Sequence, residues 1–369
     1  MLTTTKQKYL FCFGTRPEVI KMAPVILEMR KKKLEVVISV TGQHREMLQQ
    51  MLEIFSLQPD FDLELMEANQ SLNTLSGRIF ESMDKIFEEV IPDIVLVQGD
   101  TTTATIIAQA AFYKKIKIAH IEAGLRTYKK HSPFPEEINR QLISKLADYH
   151  FTPTSGATEN LIAEGIDQSS ICESGNTVVD ALKLIEKTIQ NFNFLGELGV
   201  KQEEFKKMIL VTGHRRENFG KGIQELCQAL IQLARDPELL IVFPVHLNPN
   251  IKKVVQDNLD GYENIKLLPP VSYDQMLALL KHCDLVISDS GGIQEEAPAF
   301  KKPVIVTREF TERYEAVEAG FSILTGADSI RISQVAQSLL LNAPDLQNIT
   351  NPFGDGKAAK RIVDFLEKL

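Results

Sequence analysis

The chain has 369 residues, a formal net charge of −8, 44% hydrophobic and 24% charged residues. At roughly 100–200 residues per domain, this length predicts two or three domains of ordinary globular composition. The acidic balance excludes a nucleic-acid partner and leaves only local basic clusters for an anionic ligand. No run approaches the roughly 18 apolar residues of a membrane span. The stretch Tyr9 to Phe13, cut off by Gly14 and Arg16, is too short for a signal-peptide core. Cys12, Cys172, Cys227 and Cys283 are far apart and form no C-x-x-C pair. They read as small core residues in a reducing cytoplasm, with no metal centre.

Short β-branched runs alternate with amphipathic helices from the start. Strands are predicted at Leu10–Phe13, Glu35–Val40, Ile94–Gln98, Ile116–Ile121 and Tyr149–Thr152, with helices near Ala23–Lys32, Arg45–Phe55, Leu72–Val90, Thr103–Tyr113 and Glu137–Ala147. This rhythm requires a parallel sheet covered on both faces, and the near-continuous apolar strands agree. Asn191 to Lys207 breaks it. Strands resume at Met208–Thr212, Leu239–Pro244, Ile265–Leu267, Leu285–Ser288 and Val304–Thr307. The expected organisation is therefore α/β with two doubly wound, Rossmann-like domains, residues 1–192 and 208–350, joined by a linker over 193–207. Residues 351–369 form a closing segment whose helix, Lys357–Leu369, packs back on the first domain. Ligands of such sheets bind beyond the carboxyl ends of the strands, here in the cleft between domains.

The polar residues worth weighing stand at those strand ends. Leu285–Ser288 runs into Asp289-Ser290-Gly291-Gly292, a small-residue turn whose bare amides suit a diphosphate, and Glu296 lies within reach of ribose hydroxyls. Arg16 and Lys21 follow the first strand, with Pro17 suited to a helix's first turn. Asp100 and Glu122 end neighbouring strands, where two carboxylates facing one cleft raise each other's pKa and serve acid/base chemistry. The competing structural roles are that Asp100 caps the helix opening at Thr101 and that Glu122 pairs with Arg126. Glu136 opens a helix after the proline-framed Ser132–Pro135 loop. His214 and His246 end strands of the second domain, where a histidinium neutralises a departing phosphate.

The segments FGTRPEVIKMAPVI, TGQHREML, QGDTTTA, HIEAGLRT, SPFPEEINR, SGNTVVDAL, VTGHRRENFGKG, FPVHLNPN, DSGGIQEEAP and TERYEAVEAG, in that order, closely resemble the non-hydrolysing UDP-N-acetylglucosamine 2-epimerases. The resemblance implies a glycosyltransferase-B-like fold, a UDP-sugar substrate, a homodimer and no metal or other cofactor. It implies epimerisation at C2 by eliminating UDP across C1–C2, through a bound 2-acetamidoglucal, and adding it back. By that resemblance Asp100, Glu122, Glu136 and His214 match the catalytic positions, and Arg16, Lys21, Ser290, Gly291, Gly292, Glu296 and Arg313 match the UDP-binding positions. Gln43, Arg215 and His246 have counterparts in members activated by their own UDP-sugar. Four positions depart from the pattern. Met276 stands where many members place an aromatic residue near the uracil, Tyr314 replaces a proline, and Glu46 and Asn69 replace Gln and Arg.

Three other readings remain open on sequence. One is a 2-epimerase of a related UDP-2-acetamido sugar. A second is a hydrolysing epimerase, whose opening motif differs from GTRPEVIKMAP. The third is a retaining glycosyltransferase of the same fold. Many of those carry a second Glu eight positions before the nucleotide-helix Glu, and here that position is Ser288.

Overall fold

The computed structural model describes residues 7–42, 45–65, 67, 70–189, 196, 204–213, 220–245 and 248–369, with the backbone alone at 45–47, 187–188 and 250. The chain divides into two compact units. One runs to Leu184 and takes back Phe353–Leu369; the other is Ile185–Pro352. Most of the expected linker, 193–207, lies outside the described residues.

The first unit is a seven-stranded, wholly parallel sheet of β1 (Lys8–Phe13), β2 (Glu35–Val40), β3 (Phe61–Asp62), β4 (Ile94–Gln98), β5 (Lys117–Ile121), β6 (Tyr149–Thr152) and β7 (Ile171–Glu173), ordered β3-β2-β1-β4-β5-β6-β7. The period of two along β1 sends Leu10 and Cys12 into a core with Ile79, Met83, Val95, Val97 and Ile107. Tyr9, Phe11 and Phe13 are buried on the other face. The helices named below are α1 (Arg16–Lys31), α2 (Arg45–Ile54), α3 (Leu72–Val90), α4 (Thr102–Tyr113) and α5 (Glu136–Leu146). Side-chain oxygens of Ser71 and Thr101 accept the amides of Thr74 and Ala104 and start α3 and α4.

Helix α1 begins seven residues before the Ala23 expected from sequence and runs through Pro24. Proline removes one amide donor. The buried Val19, Ile20, Met22, Val25 and Ile26 flank it and outweigh that loss. The closing helix Ala358–Leu366 belongs to the first unit. Asp180, far away in sequence, accepts the amides of Ala358 and Ala359 at 3.1 and 3.0 Å and caps it. Burial raises the Asp180 pKa despite those two donors. Phe365 meets Phe151 edge-on at 5.5 Å, and Lys32 pairs with Asp364 at 2.5 Å.

The second unit is a six-stranded parallel sheet of β8 (Lys207–Thr212), β9 (Leu239–Pro244), β10 (Ile265–Leu268), β11 (Leu285–Ser288), β12 (Val304–Val306) and β13 (Ser322–Leu324), ordered β10-β9-β8-β11-β12-β13. Ile209, Val211, Ile241, Phe243, Ile287 and Ile305 form its core with Leu226, Leu230, Val255 and Ile332 from the flanking helices. In both sheets the strand order reverses once, between β1 and β4 and between β8 and β11. That reversal opens a crevice beyond the strand ends where the flanking loops part. Among the described residues no helix is long and apolar enough to cross a membrane.

Candidate active site

At the first switch point the chain after β1 and the chain after β4 are fastened together by Glu18. Its carboxylate accepts the amides of Gly14 and Thr15 at 3.0 and 2.7 Å and the Thr101 hydroxyl at 2.8 Å. Burial still raises its pKa, outweighing these donors. Arg16 is the exposed first residue of α1, while Lys21, one turn and a half further on, is buried.

Strands β4 and β5 pair in register through Gln98 and Ile121, so Gly99–Asp100 and Glu122 leave the sheet side by side. The two acids do not face each other unscreened as the sequence suggested. Asp100 Oδ2 accepts from Arg140 Nη2 at 2.5 Å, and Glu122 pairs with the Lys21 ammonium. Both structural roles weighed from sequence are overturned. Thr101 caps α4, because it stands directly before the helix and its hydroxyl accepts the Ala104 amide of the first turn. Arg126 is taken by Glu164 in a two-pronged pair of 2.7 and 2.8 Å, leaving Glu122 to Lys21. Glu122 also holds φ 64°, a left-handed conformation that costs a non-glycine residue about 1 kcal/mol or more. Gly124, two residues on, is obligatory, since a Cβ there would lie 2.2 Å from the Ala157 carbonyl oxygen. Glu136 is the first residue of α5, at the end of a loop with cis bonds before Pro133 and Pro135.

Behind these groups, His120 is fully buried and its Nε2 lies 2.7 Å from the Gly99 carbonyl. Burial lowers its pKa to about 3, so the ring is neutral and Nε2 carries the proton it donates.

At the second switch point Thr212 and Ser288 share a 2.6 Å hydroxyl bond, and Ser288 Oγ accepts the Ser290 amide at 2.9 Å. The turn then enters a helix of six residues, Gly291–Glu296. The Arg313 guanidinium lies against Gly291, where a Cβ would sit 2.8 Å from its Cζ. Any side chain there would have to push that guanidinium aside. Gly292 is exposed, and the nearest atom to a Cβ there is Ser290 Oγ at 3.7 Å. Arg313 donates to Glu295 at 2.8 Å and pairs with Glu312, which also accepts from Arg308 at 3.0 Å. These four buried charges cancel. Glu296 Oε1 accepts from the Tyr273 hydroxyl at 2.9 Å, so Tyr273 orients this carboxylate.

The structure thus brings Lys21 to Glu122 in the first unit, and Gly291 to Arg313 in the second. His214, Arg215, Gln43 and His246 lie outside the described residues, as does Asn69; of Glu46 only the backbone is described. Sequence reasoning assigned no part to Glu18, His120, Glu137, Arg140, Glu295 or Glu312. The available signal was spacing: Glu18 stands three residues after Thr15, and Glu137 and Arg140 are one turn apart on a helix. Among the described residues no cluster of His, Cys, Asp and Glu has metal-ligand geometry.

Comparison with known proteins gives a consistent answer. A family model described as UDP-N-acetylglucosamine 2-epimerase matches residues 27–367. The chain is 47% identical over 374 residues to the UDP-N-acetylglucosamine 2-epimerase of Campylobacter jejuni, with 98% of each chain covered. The UDP-GlcNAc 2-epimerase of Neisseria meningitidis, solved bound to UDP-GlcNAc, matches with a TM-score of 0.92 at 43% identity, covering 98% of this chain and 100% of that one. The Methanocaldococcus jannaschii enzyme, solved with UDP-GlcNAc and UDP, gives 0.87 at 34%, with the same coverage. Sequence, fold and relatives agree, and the chain belongs to the UDP-N-acetylglucosamine 2-epimerase family.

Proposed function

We propose that this chain interconverts UDP-N-acetylglucosamine and UDP-N-acetylmannosamine without hydrolysing either. The C2 proton is not acidic, so direct deprotonation is out of reach. In this reading the C2–H bond gives its proton to a carboxylate while the C1–oxygen bond breaks and UDP leaves with the electron pair. The resulting 2-acetamidoglucal is then protonated on the opposite face of C2, and a phosphate oxygen re-forms the bond to C1. Two faces require two proton-transfer groups.

The observation that carries this reading is the pair of carboxylates at adjacent strand ends, each beside a cation: Asp100 with Arg140, which Glu137 shares, and Glu122 with Lys21. A cation beside each lessens the repulsion between two acids that serve one sugar, and Glu136 adds a third at a helix start. Carboxylates so held also stabilise the positive character that C1 gains as UDP departs. UDP falls to Ser290, Gly291, Gly292, Glu296 and Arg313. The family resemblance assigns Arg16 to the same UDP and His214 to the phosphate charge that develops as UDP departs. The family resemblance adds a homodimer, and regulation through Gln43, Arg215 and His246.

Proton NMR of UDP-N-acetylglucosamine with the purified protein in heavy water tests the proposal. UDP-N-acetylmannosamine should appear with deuterium at C2, unaffected by EDTA and with no acceptor present. Accumulation of free N-acetylmannosamine with UDP would point to a hydrolysing enzyme, and absolute dependence on an acceptor to a glycosyltransferase.

A further inference from the structure

We propose that Arg140 is a positioning residue for Asp100, and that with Glu137 it keeps Asp100 in register with the loop running from Glu122 to Glu136. This rests on the reading of Asp100 as a catalytic acid.

Arg140 is almost fully buried, with its guanidinium between two carboxylates: Asp100 Oδ2 at 2.5 Å and Glu137 Oε2 at 3.5 Å. Glu137, fully buried, accepts the amides of Thr127 and Tyr128 at 3.0 Å each and the Gln141 side chain at 2.8 Å. Those two amides lie inside the loop, whose turn is closed by Thr127 Oγ1 donating to the Ser132 carbonyl at 2.6 Å. The loop is therefore tied to the same guanidinium that holds Asp100.

The backbone of Asp100 is fixed independently. Asn139 Nδ2 donates to its carbonyl at 2.9 Å, and His120 donates to the carbonyl of Gly99, which holds φ 67°. Arg140 engages only Oδ2, and the side chain keeps 24% exposure. One oxygen is anchored and the carboxylate still reaches solvent, where a substrate approaches. A buried ion pair adds little net stability compared with apolar packing, because desolvation offsets the attraction. What this one supplies is direction: a planar guanidinium donates to Asp100 from one nitrogen while another lies 3.5 Å from Glu137, and an ammonium acts as a single point.

The test is steady-state epimerisation per folded molecule for Arg140→Met, Arg140→Lys, Asp100→Asn and the Arg140→Met/Asp100→Asn pair, with melting temperatures on the same preparations. Displacing a reacting group by an ångström costs about 10²-fold. Arg140→Met should therefore lower kcat by about that factor with KM unchanged. Arg140→Lys keeps the charge and the fold and should fall by about 10-fold. The double variant should lose no more than Asp100→Asn alone, since Arg140 acts through that residue. Wild-type kcat in Arg140→Met and Arg140→Lys beside a dead Asp100→Asn overturns the positioning role alone, as do additive losses in the double variant. Full turnover in Asp100→Asn overturns the catalytic reading itself, and this inference with it.

Discussion

The two switch points solve the same topological problem with different wiring. In the first unit the contacts are long in sequence: Thr101 reaches Glu18 across 83 residues, Lys21 reaches Glu122 across 101, and Arg140 reaches Asp100 across 40. In the second, the Thr212–Ser288 bond spans 76 residues, but the contacts that hold Arg313 and the helix after the turn are local: Arg313 reaches Glu295 across 18 residues and Thr311 reaches Gln294 across 17. The first set assembles only when the whole sheet has formed, and it carries the groups assigned to bond breaking. The local set of the second is one strand-turn-helix and the loop after β12, and it carries most of the groups assigned to holding UDP. Chemistry needs side chains from several directions at once, while the turn at Ser290–Gly292 offers a diphosphate backbone amides that are close in sequence.

Substitutions should separate the two regions, and the largest effect belongs to the first. Asp100→Asn and Glu122→Gln keep shape but remove charge and proton transfer. Turnover should fall on the order of 10²–10⁴-fold with little change in substrate affinity. A variant stalled after elimination should release 2-acetamidoglucal, which mass spectrometry of the reaction mixture detects. Near-normal turnover per folded molecule in both variants would erase the distinction between the units.

Binding variants come next. Arg16→Ala, and Glu296→Ala through the ribose, should each weaken UDP by roughly 1.5–3 kcal/mol, the scale of a lost charge-assisted hydrogen bond. Calorimetric titration with UDP measures this. Unchanged affinity in both variants removes these two residues from UDP binding.

A pair of glycines sharpens the second region on its own. Gly291→Ala puts a methyl 2.8 Å from an Arg313 guanidinium that Glu295 and Glu312 hold in place. Overpacking of this kind costs about 1–3 kcal/mol of stability. Gly292→Ala is exposed and meets Ser290 Oγ at an ordinary 3.7 Å. Its melting temperature should stay near wild type while UDP affinity drops, because the methyl occupies ligand space. Equal melting temperatures for the two variants would contradict the packing around Gly291.

Near neutral pH the smallest expected effect is a stability drift in the first unit. Burial is the leading cause that lowers His120 to about 3 and His150 to about 4, from an ordinary 6.5. Both rings are neutral in the fold at neutral pH. Below about 6.5 the unfolded chain takes up protons that the folded chain refuses, so stability falls as pH drops towards 4. Melting curves from pH 7 downward should show this slope, and His150→Phe should flatten it. Carboxylates whose folded pKa is raised, such as Glu18, act in the opposite direction over the acidic range. A slope unaltered in His150→Phe assigns the drift to other groups.

Much of the fold was written locally. The alternation of apolar strands and amphipathic helices depends on nearest neighbours and on periods of two and 3.6, so most strand positions followed from the pattern. Two- and three-residue edge strands such as β3, β7 and β13 were missed, because so short a run carries no period. The start of α1 was half legible: Pro17 fits its first turn, but the helix was expected only from Ala23, whereas the buried Val19, Ile20 and Met22 carry it from Arg16.

By itself the sequence determined the α/β class, the paired parallel sheets, the family and the strand ends at which polar residues gather. All of these follow from patterns short in sequence. Only the tertiary structure decided which charge meets which: Lys21 rather than Arg126 for Glu122, and Arg140 rather than a helix start for Asp100. Ion pairs are chosen by distance in space, and residues separated by 40 or 101 positions become neighbours only through the order of strands in the sheet.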